Sequence, residues 1–203
     1  MTLNPNIQSE GVFSLLRKKT YMTERDLIIG CQQGEASAER LLVDRFAPML
    51  LTVARRYVPD EPTAEDVLQE AYIRIFNAIK SYDPDRGALE AWMRKIVINS
   101  ALQRFRKRAY KYEVPGLEQV VEPELNPDVF SHLGAEELLK LIAALPDLYR
   151  LVFNLYVIEG YEHSEIGKML NIATASSRSR LQRARKMLQE QILELENRSY
   201  EPR

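Results

Sequence analysis

Apolar residues along this chain recur at three- and four-residue steps, the spacing that places them on one side of an α-helix. Winding the chain at 100° per residue predicts helices at about 23–33, 36–57, 63–80, 89–110, 135–144, 147–158, 162–170 and 175–196. Over 63–80, Val67, Leu68, Ala71, Ile75, Ala78 and Ile79 share a stripe. Over 89–110, Met93, Val97, Ile98, Ala101, Leu102 and Phe105 share a broad arc. Over 175–196, Leu181, Ala184, Leu188, Ile192 and Leu195 make a narrow stripe, expected to be the core side. Asp60 to Thr63 and Asp83-Pro84-Asp85-Arg86-Gly87 carry turn chemistry. No segment alternates with the two-residue period of a strand. The expected class is all-α: two small helical domains joined by an acidic, flexible linker.

The polar faces differ sharply from one another. Asp66, Gln69, Glu70, Ile73 and Asn77 lie opposite the stripe of the 63–80 helix. An acidic face repels DNA, so it is expected to meet a basic protein surface, with Ile73 as an apolar contact. Trp92, Lys95, Asn99, Gln103 and Arg106 line the opposite side of the 89–110 helix. Cations, amides and an indole together suit backbone tracking and base contact, including on single strands. A lone Trp also serves as a core residue, so both roles stay open for Trp92.

Residues 161–188 read as a helix-turn-helix. Gly167 lets the second helix pack close to the first, and Asn171 to Thr174 form the turn. Ser179, Gln182, Arg183 and Lys186 face away from the Leu stripe, flanked by Arg178 and Arg180. Arg pairs with guanine, Gln with adenine and Lys with phosphate, which is the chemistry of a major groove. Ser176 and Ser177, at the helix start, are expected to offer hydroxyl and N–H groups to phosphate.

Composition narrows the classes. The chain has 203 residues, with room for one large or two small domains. Its single Cys, Cys31, excludes an intramolecular disulfide and is read as a small buried hydrophobe. Two His residues, His132 and His163, are too few for a His-based metal centre. Glu65, Asp66 and Glu70 lack any Glu-x-x-His partner, so a helical metalloenzyme is disfavoured and no cofactor is expected. The basic residues near the N-terminus follow the apolar patch instead of preceding it, so no signal peptide is read and a cytoplasmic location is expected. Residues 1–21 read as a loosely attached extension, with Met22 as a possible second start.

Net charge is only −1, but the charges are sorted. Ala91 to Tyr112 holds seven basic residues and no acid; Ile172 to Leu188 holds five and no acid. Between them, Glu113 to His132 holds five acids, three prolines and no Lys or Arg. Two basic modules on an acidic tether suggest two nucleic-acid contacts. About 20 linker residues extend to roughly 65 Å, enough to separate two DNA elements by more than a helical turn.

Ala64-Glu65-Asp66-Val67-Leu68-Gln69-Glu70, Tyr82-Asp83-Pro84, Gly87, Trp92-Met93-Arg94-Lys95-Ile96 and Asn99 together resemble region two of bacterial sigma factors. Leu145-Pro146, Tyr149-Arg150, Phe153, Glu159-Gly160-Tyr161, Glu165-Ile166, Ser179-Arg180-Leu181 and Arg183-Ala184-Arg185 resemble region four. Two such regions and a linker are the pattern of the extracytoplasmic-function (ECF, group IV) RNA polymerase sigma factors. The resemblance implies region two over 22–110, a linker over 111–133 and region four over 134–203.

It implies that Asp66, Gln69, Glu70, Ile73 and Asn77 bind the clamp of the polymerase β′ subunit. It implies a −10 element held by Tyr82, Asp83, Arg86, Trp92, Lys95, Asn99, Gln103 and Arg106. The −35 element would be read by Ser176, Ser177, Arg178, Ser179, Gln182, Arg183 and Lys186, with region four on the β flap. It further implies no catalysis, an anti-sigma partner and no membrane insertion. Ala175-Ser176-Ser177 stands where the family has Gly-Thr-Val, and Glu162 where it places a capping Ser or Thr. The competing reading is a stand-alone helix-turn-helix repressor or activator, which leaves the acidic face and the 89–110 helix idle.

Overall fold

Thr23 starts the first helix by accepting the Asp26 N–H at 3.1 Å, and Asp26 reaches back to the Thr23 N–H at 3.3 Å. This capping box is the opening of a computed structural model that describes residues 22–109 and 134–199. Helix α1 (Glu24–Gln33) stops at Gly34, whose φ of 77° suits a residue without a Cβ. Helix α2 (Ala36–Tyr57) follows at once. Helix α3 (Glu61–Ala78) begins two residues before its predicted start, because Asp60 accepts the Thr63 N–H at 2.9 Å and Pro62 suits a first turn. A 3₁₀ turn (Ile79–Ser81) and a short loop lead to helix α4 (Leu89–Ala109).

The three long helices bury the predicted stripes against one another. Leu42, Leu50, Val67, Ile75, Met93, Val97, Ile98 and Leu102 are all at most 2 % exposed. Full burial of one such side chain stabilises by about 1.5–3 kcal/mol, so this contact sets the bundle. Ala78 and Phe105 are only half-buried, at the margins of their stripes. Cys31 is buried, as expected of a small hydrophobe. Burial, with the Glu39 and Glu35 carboxylates nearby, pushes its thiol up to about 11.

The C-terminal unit has four helices: α5 (Ala135–Ala144), α6 (Asp147–Phe153), α7 (His163–Leu170) and α8 (Thr174–Ser199). The helix predicted at 147–158 is α6 followed by a wider π-helical turn, Asn154–Ile158. Leu181, Ala184, Leu188 and Ile192 of α8 are buried as predicted. Leu195 is not; it is 39 % exposed, near the end of α8 where Leu193 is 45 % exposed as well. Among the described residues no strand occurs and no helix is long and apolar enough to cross a membrane. The expected 1–21 extension and the 111–133 linker lie outside the described residues.

The two units pack together, which sequence periodicity does not foretell. The π-helical turn stacks Asn154 near Glu159, and both meet the N-terminal bundle. Asn154 donates from Nδ2 to the Arg56 carbonyl at 2.6 Å. The Glu159 carboxylate accepts from Arg94 at 2.9 and 3.0 Å and lies 3.8 Å from Arg56. Its side chain is 9 % exposed. Removing one partner of a fully buried pair costs about 3–5 kcal/mol, and less is lost here because Arg94 and Arg56 keep 31 % and 25 % of their side-chain exposure. Glu159→Gln is therefore expected to lower the thermal midpoint and, because the contact joins two units, to raise the radius of gyration in small-angle scattering. An unchanged radius would show that the remaining contacts, Asn154 on Arg56 among them, hold the units together without it.

Candidate nucleic-acid and partner interfaces

Residues Asp66, Gln69, Glu70, Ile73 and Asn77 form one continuous face on α3, with Ile73 63 % exposed. The opposite side of α3 is committed to the core, and among the described residues this face is left largely exposed. Arg104 of α4 touches its edge, 3.0 Å from Asp66 and 3.9 Å from Glu70. Exposed pairs of this kind contribute about 0–1 kcal/mol, so they leave the carboxylates available.

The loop before α4 is tightly built. Asp83 accepts the Asp85 N–H at 3.0 Å and caps the 3₁₀ turn Pro84–Arg86. Gly87 follows with φ 144°, a conformation that other residues rarely adopt. Tyr82 donates its hydroxyl to the Gly87 carbonyl at 2.7 Å. Burial, then the Glu24 and Asp83 carboxylates, push that hydroxyl above its ordinary range, so it stays protonated as a donor. From α1, Gln32 Nε2 donates to the Ile79 and Tyr82 carbonyls, both at 3.1 Å. Gln32 escaped sequence reasoning; nothing in a single glutamine signals a partner 50 residues away.

Between this loop and α4 lies an open cavity of about 210 Å³. Ser81, Tyr82, Asp83, Arg86, Trp92 and Lys95 line it. Trp92 is half-buried: it packs on Tyr82 at 4.9 Å between centroids, and it also walls the cavity. Lys95 and Asn99 continue outward along the same side of α4, both exposed. Farther on, Gln103 is bonded by Arg74 of α3, and Arg106 donates to the Met169 carbonyl of α7 at 3.3 Å. The predicted row is therefore one face, with its far end already engaged in this conformation.

In the helix-turn-helix, a Cβ on Gly167 would lie 2.9 Å from the Ile172 carbonyl, so the glycine permits the close approach expected of it. Asn171 takes a left-handed conformation, φ 56°, and Ile172 donates to Gly167 at 2.9 Å. The Glu162 N–H donates to the Glu165 carboxylate at 2.9 Å, so this half of the capping box closes without Ser or Thr. Arg178 and Lys186 are exposed, and Ser176, Ser179, Gln182 and Arg183 are partly so. Arg183 reaches the Tyr149 hydroxyl at 3.5 Å, and Lys186 lies 3.8 Å from Glu190.

Ser177 corrects an expectation. It is 0 % exposed, and its N–H is taken by the Ala173 carbonyl at 3.0 Å. Its hydroxyl faces His163 Nδ1 at 2.9 Å instead of solvent. A phosphate has no access to it. Arg180 is similarly drawn in, at 8 % exposure.

Burial, with the positive charge of Arg178 next, holds His163 below its ordinary range. Arg185 acts in the same direction, and Glu162 opposes both. The unfolded chain thus takes up the proton first. Stability from a neutral His163 is complete above the unfolded value of about 6.5 and declines as pH falls toward the folded value. Thermal midpoints measured from pH 7.5 down to 5 are expected to fall, and His163→Phe is expected to remove part of that fall.

Comparison with known proteins follows the same partition. The Sigma-70 region 2 family matches residues 42–110, and the Sigma-70 region 4 family matches residues 135–188. The ECF RNA polymerase sigma factor SigW of Bacillus subtilis is 31% identical over 176 residues, covering 81% of this chain and 94% of that protein. The ECF RNA polymerase sigma-E factor of Escherichia coli K12 is 26% identical over 183 residues, covering 84% and 95%. The solved structure of sigma factor RpoE with the anti-sigma factor NepR from Bartonella quintana aligns at a TM-score of 0.46 and 22% identity, covering 76% of this chain and 96% of that one. A free-standing repressor accounts for only the second of the two matched regions. With both present in order, the chain belongs to the ECF sigma factors, non-enzymatic subunits that give RNA polymerase promoter-specific initiation.

Proposed function

We propose that the two units divide promoter recognition between them, region two spanning 22–110, region four spanning 134–203, and 111–133 serving as the tether. The exposed α3 face binds the β′ clamp of core polymerase. Its mixture of carboxylates around Ile73 suits a basic surface with an apolar centre: the charges orient the encounter and the buried isoleucine holds it. Region four rests on the β flap. The chain acts in the cytoplasm, where its polymerase is.

The −10 element is engaged as single strand by the loop and the α4 face. The observation that carries this reading is the cavity between Tyr82, Arg86, Trp92 and Lys95. It is smaller than the roughly 300–1,000 Å³ of drug-sized sites and suits one base turned out of the stack. Trp92 offers a ring edge and Tyr82 a rigid wall; Asp83 accepts from an exocyclic amine; Arg86 and Lys95 hold phosphate. Asn99 extends the track; Arg106 joins it once region four moves off, and Gln103 once it leaves Arg74 of α3. The −35 element lies along α8 against Ser176, Arg178, Ser179, Gln182, Arg183 and Lys186. An anti-sigma protein would silence the chain by covering these faces.

Asp66→Arg is expected to abolish capture of core polymerase and run-off transcription while leaving the circular dichroism spectrum unchanged; full transcription by this variant would overturn the α3 assignment. Arg178→Ala is expected to weaken −35-dependent initiation by about 1–3 kcal/mol, read as promoter occupancy at fixed salt.

A further inference from the structure

One polar pair inside the helix-turn-helix has no part in promoter binding as described above. His163, the first residue of α7, and Ser177, in the first turn of α8, meet at 2.9 Å between Nδ1 and Oγ. The His163 ring also lies flat on Tyr156, with centroids 4.4 Å apart and planes inclined by 16°. Tyr156 belongs to the π-helical turn that follows α6. Tyr156, His163 and Ser177 thus tie three consecutive elements of the unit to one another.

Beside this pair, apolar side chains of both helices are buried. Ile166, Leu170, Leu181 and Ala184 are all buried in the common core. Apolar burial is non-directional and tolerates a small rotation or slide of one helix on the other. A hydrogen bond is not so tolerant, because it weakens steeply with angle. A hydroxyl at 0 % exposure that lost its partner would also pay the desolvation of an orphaned polar group. The pair therefore selects one rotation of α8 among the several that apolar packing permits. Arg178 and Ser179 directly follow Ser177, and Gln182 lies just over one turn on. Whatever rotation Ser177 takes, these three take with it. The ring is the right group for this, since burial and Arg178 disfavour its charged form.

We propose that His163 is a positioning residue for −35 recognition: bonded to Ser177 and stacked on Tyr156, it sets the rotation at which α8 presents Arg178, Ser179 and Gln182 to the DNA. This rests on the assignment of α8 to the −35 element.

The test uses the full chain with core polymerase on a promoter library that has a fixed −10 and a randomised −35 element. His163→Phe keeps a ring for Tyr156 and removes the bond; Ser177→Ala removes the hydroxyl; the double variant leaves neither group orphaned. Each single variant is expected to lose about fivefold in discrimination between preferred and mismatched −35 sequences, the factor equivalent to the roughly 1 kcal/mol of one hydrogen bond. The losses are expected to be non-additive in the double variant. Initiation from a promoter that depends on its −10 element alone is expected to stay at the wild-type level. Single variants that keep the wild-type −35 ranking and lose only thermal stability would overturn the positioning role. Should either single variant fail to fold, the double variant decides: an altered −35 ranking supports the role and an unaltered one overturns it. A wild-type chain indifferent to the −35 sequence would overturn instead the assignment of α8.

Discussion

The mutual burial of one apolar stripe from each of α2, α3 and α4 is the constraint from which the rest follows. Once Val67 and Ile75 of α3 and Met93, Val97 and Leu102 of α4 are inside, the rotation of both helices is set. The carboxylates of α3 then face out on one side, and Lys95 and Asn99 of α4 on another. The roles proposed for them, negative charge toward polymerase and positive charge toward DNA, need these faces separated. Here the separation costs nothing beyond the packing that already holds the bundle.

A second kind of organisation lies in the loops. The segment between α3 and α4 buries Ile79 and Tyr82 and is held besides by Tyr82 on Gly87, Asp83 on Asp85, and Gln32 on two carbonyls. Directional bonds add to burial beside an open cavity. The same combination occurs inside the helix-turn-helix, where His163 and Ser177 are bonded next to buried apolar side chains. In both places polar groups specify a shape that hydrophobic contact alone leaves loose.

The packing of the two units on each other adds a further layer. Glu159 binds Arg94, and Arg106 binds the α7 backbone, so basic groups of α4 are partly satisfied from within the chain. A helix that neutralises some of its charge internally exposes less unpaired positive surface. In the proposed promoter complex, phosphate would replace these internal partners, exchanging one set of charge-assisted bonds for another.

Sequence periodicity by itself determined the helices, their boundaries to within two residues at most starts, and which side of each is polar. That information is local: the 3.6-residue period relates neighbours on one helix, and capping residues such as Thr23 and Asp60 mark its ends. The motifs carried the family for the same reason, being short strings in fixed order. Only the tertiary structure decided which polar side chains are spent inside. Ser177 reads as a phosphate donor and is buried; Gln103 reads as a base contact and is held by Arg74; Glu159 enters the sequence reading only as part of a motif and Asn154 not at all, yet both join the two units. Each of these partners lies at least 14 residues away in sequence, with Arg56 98 residues from Asn154. The period of a helix states where a side chain points, and only the fold supplies what it meets there.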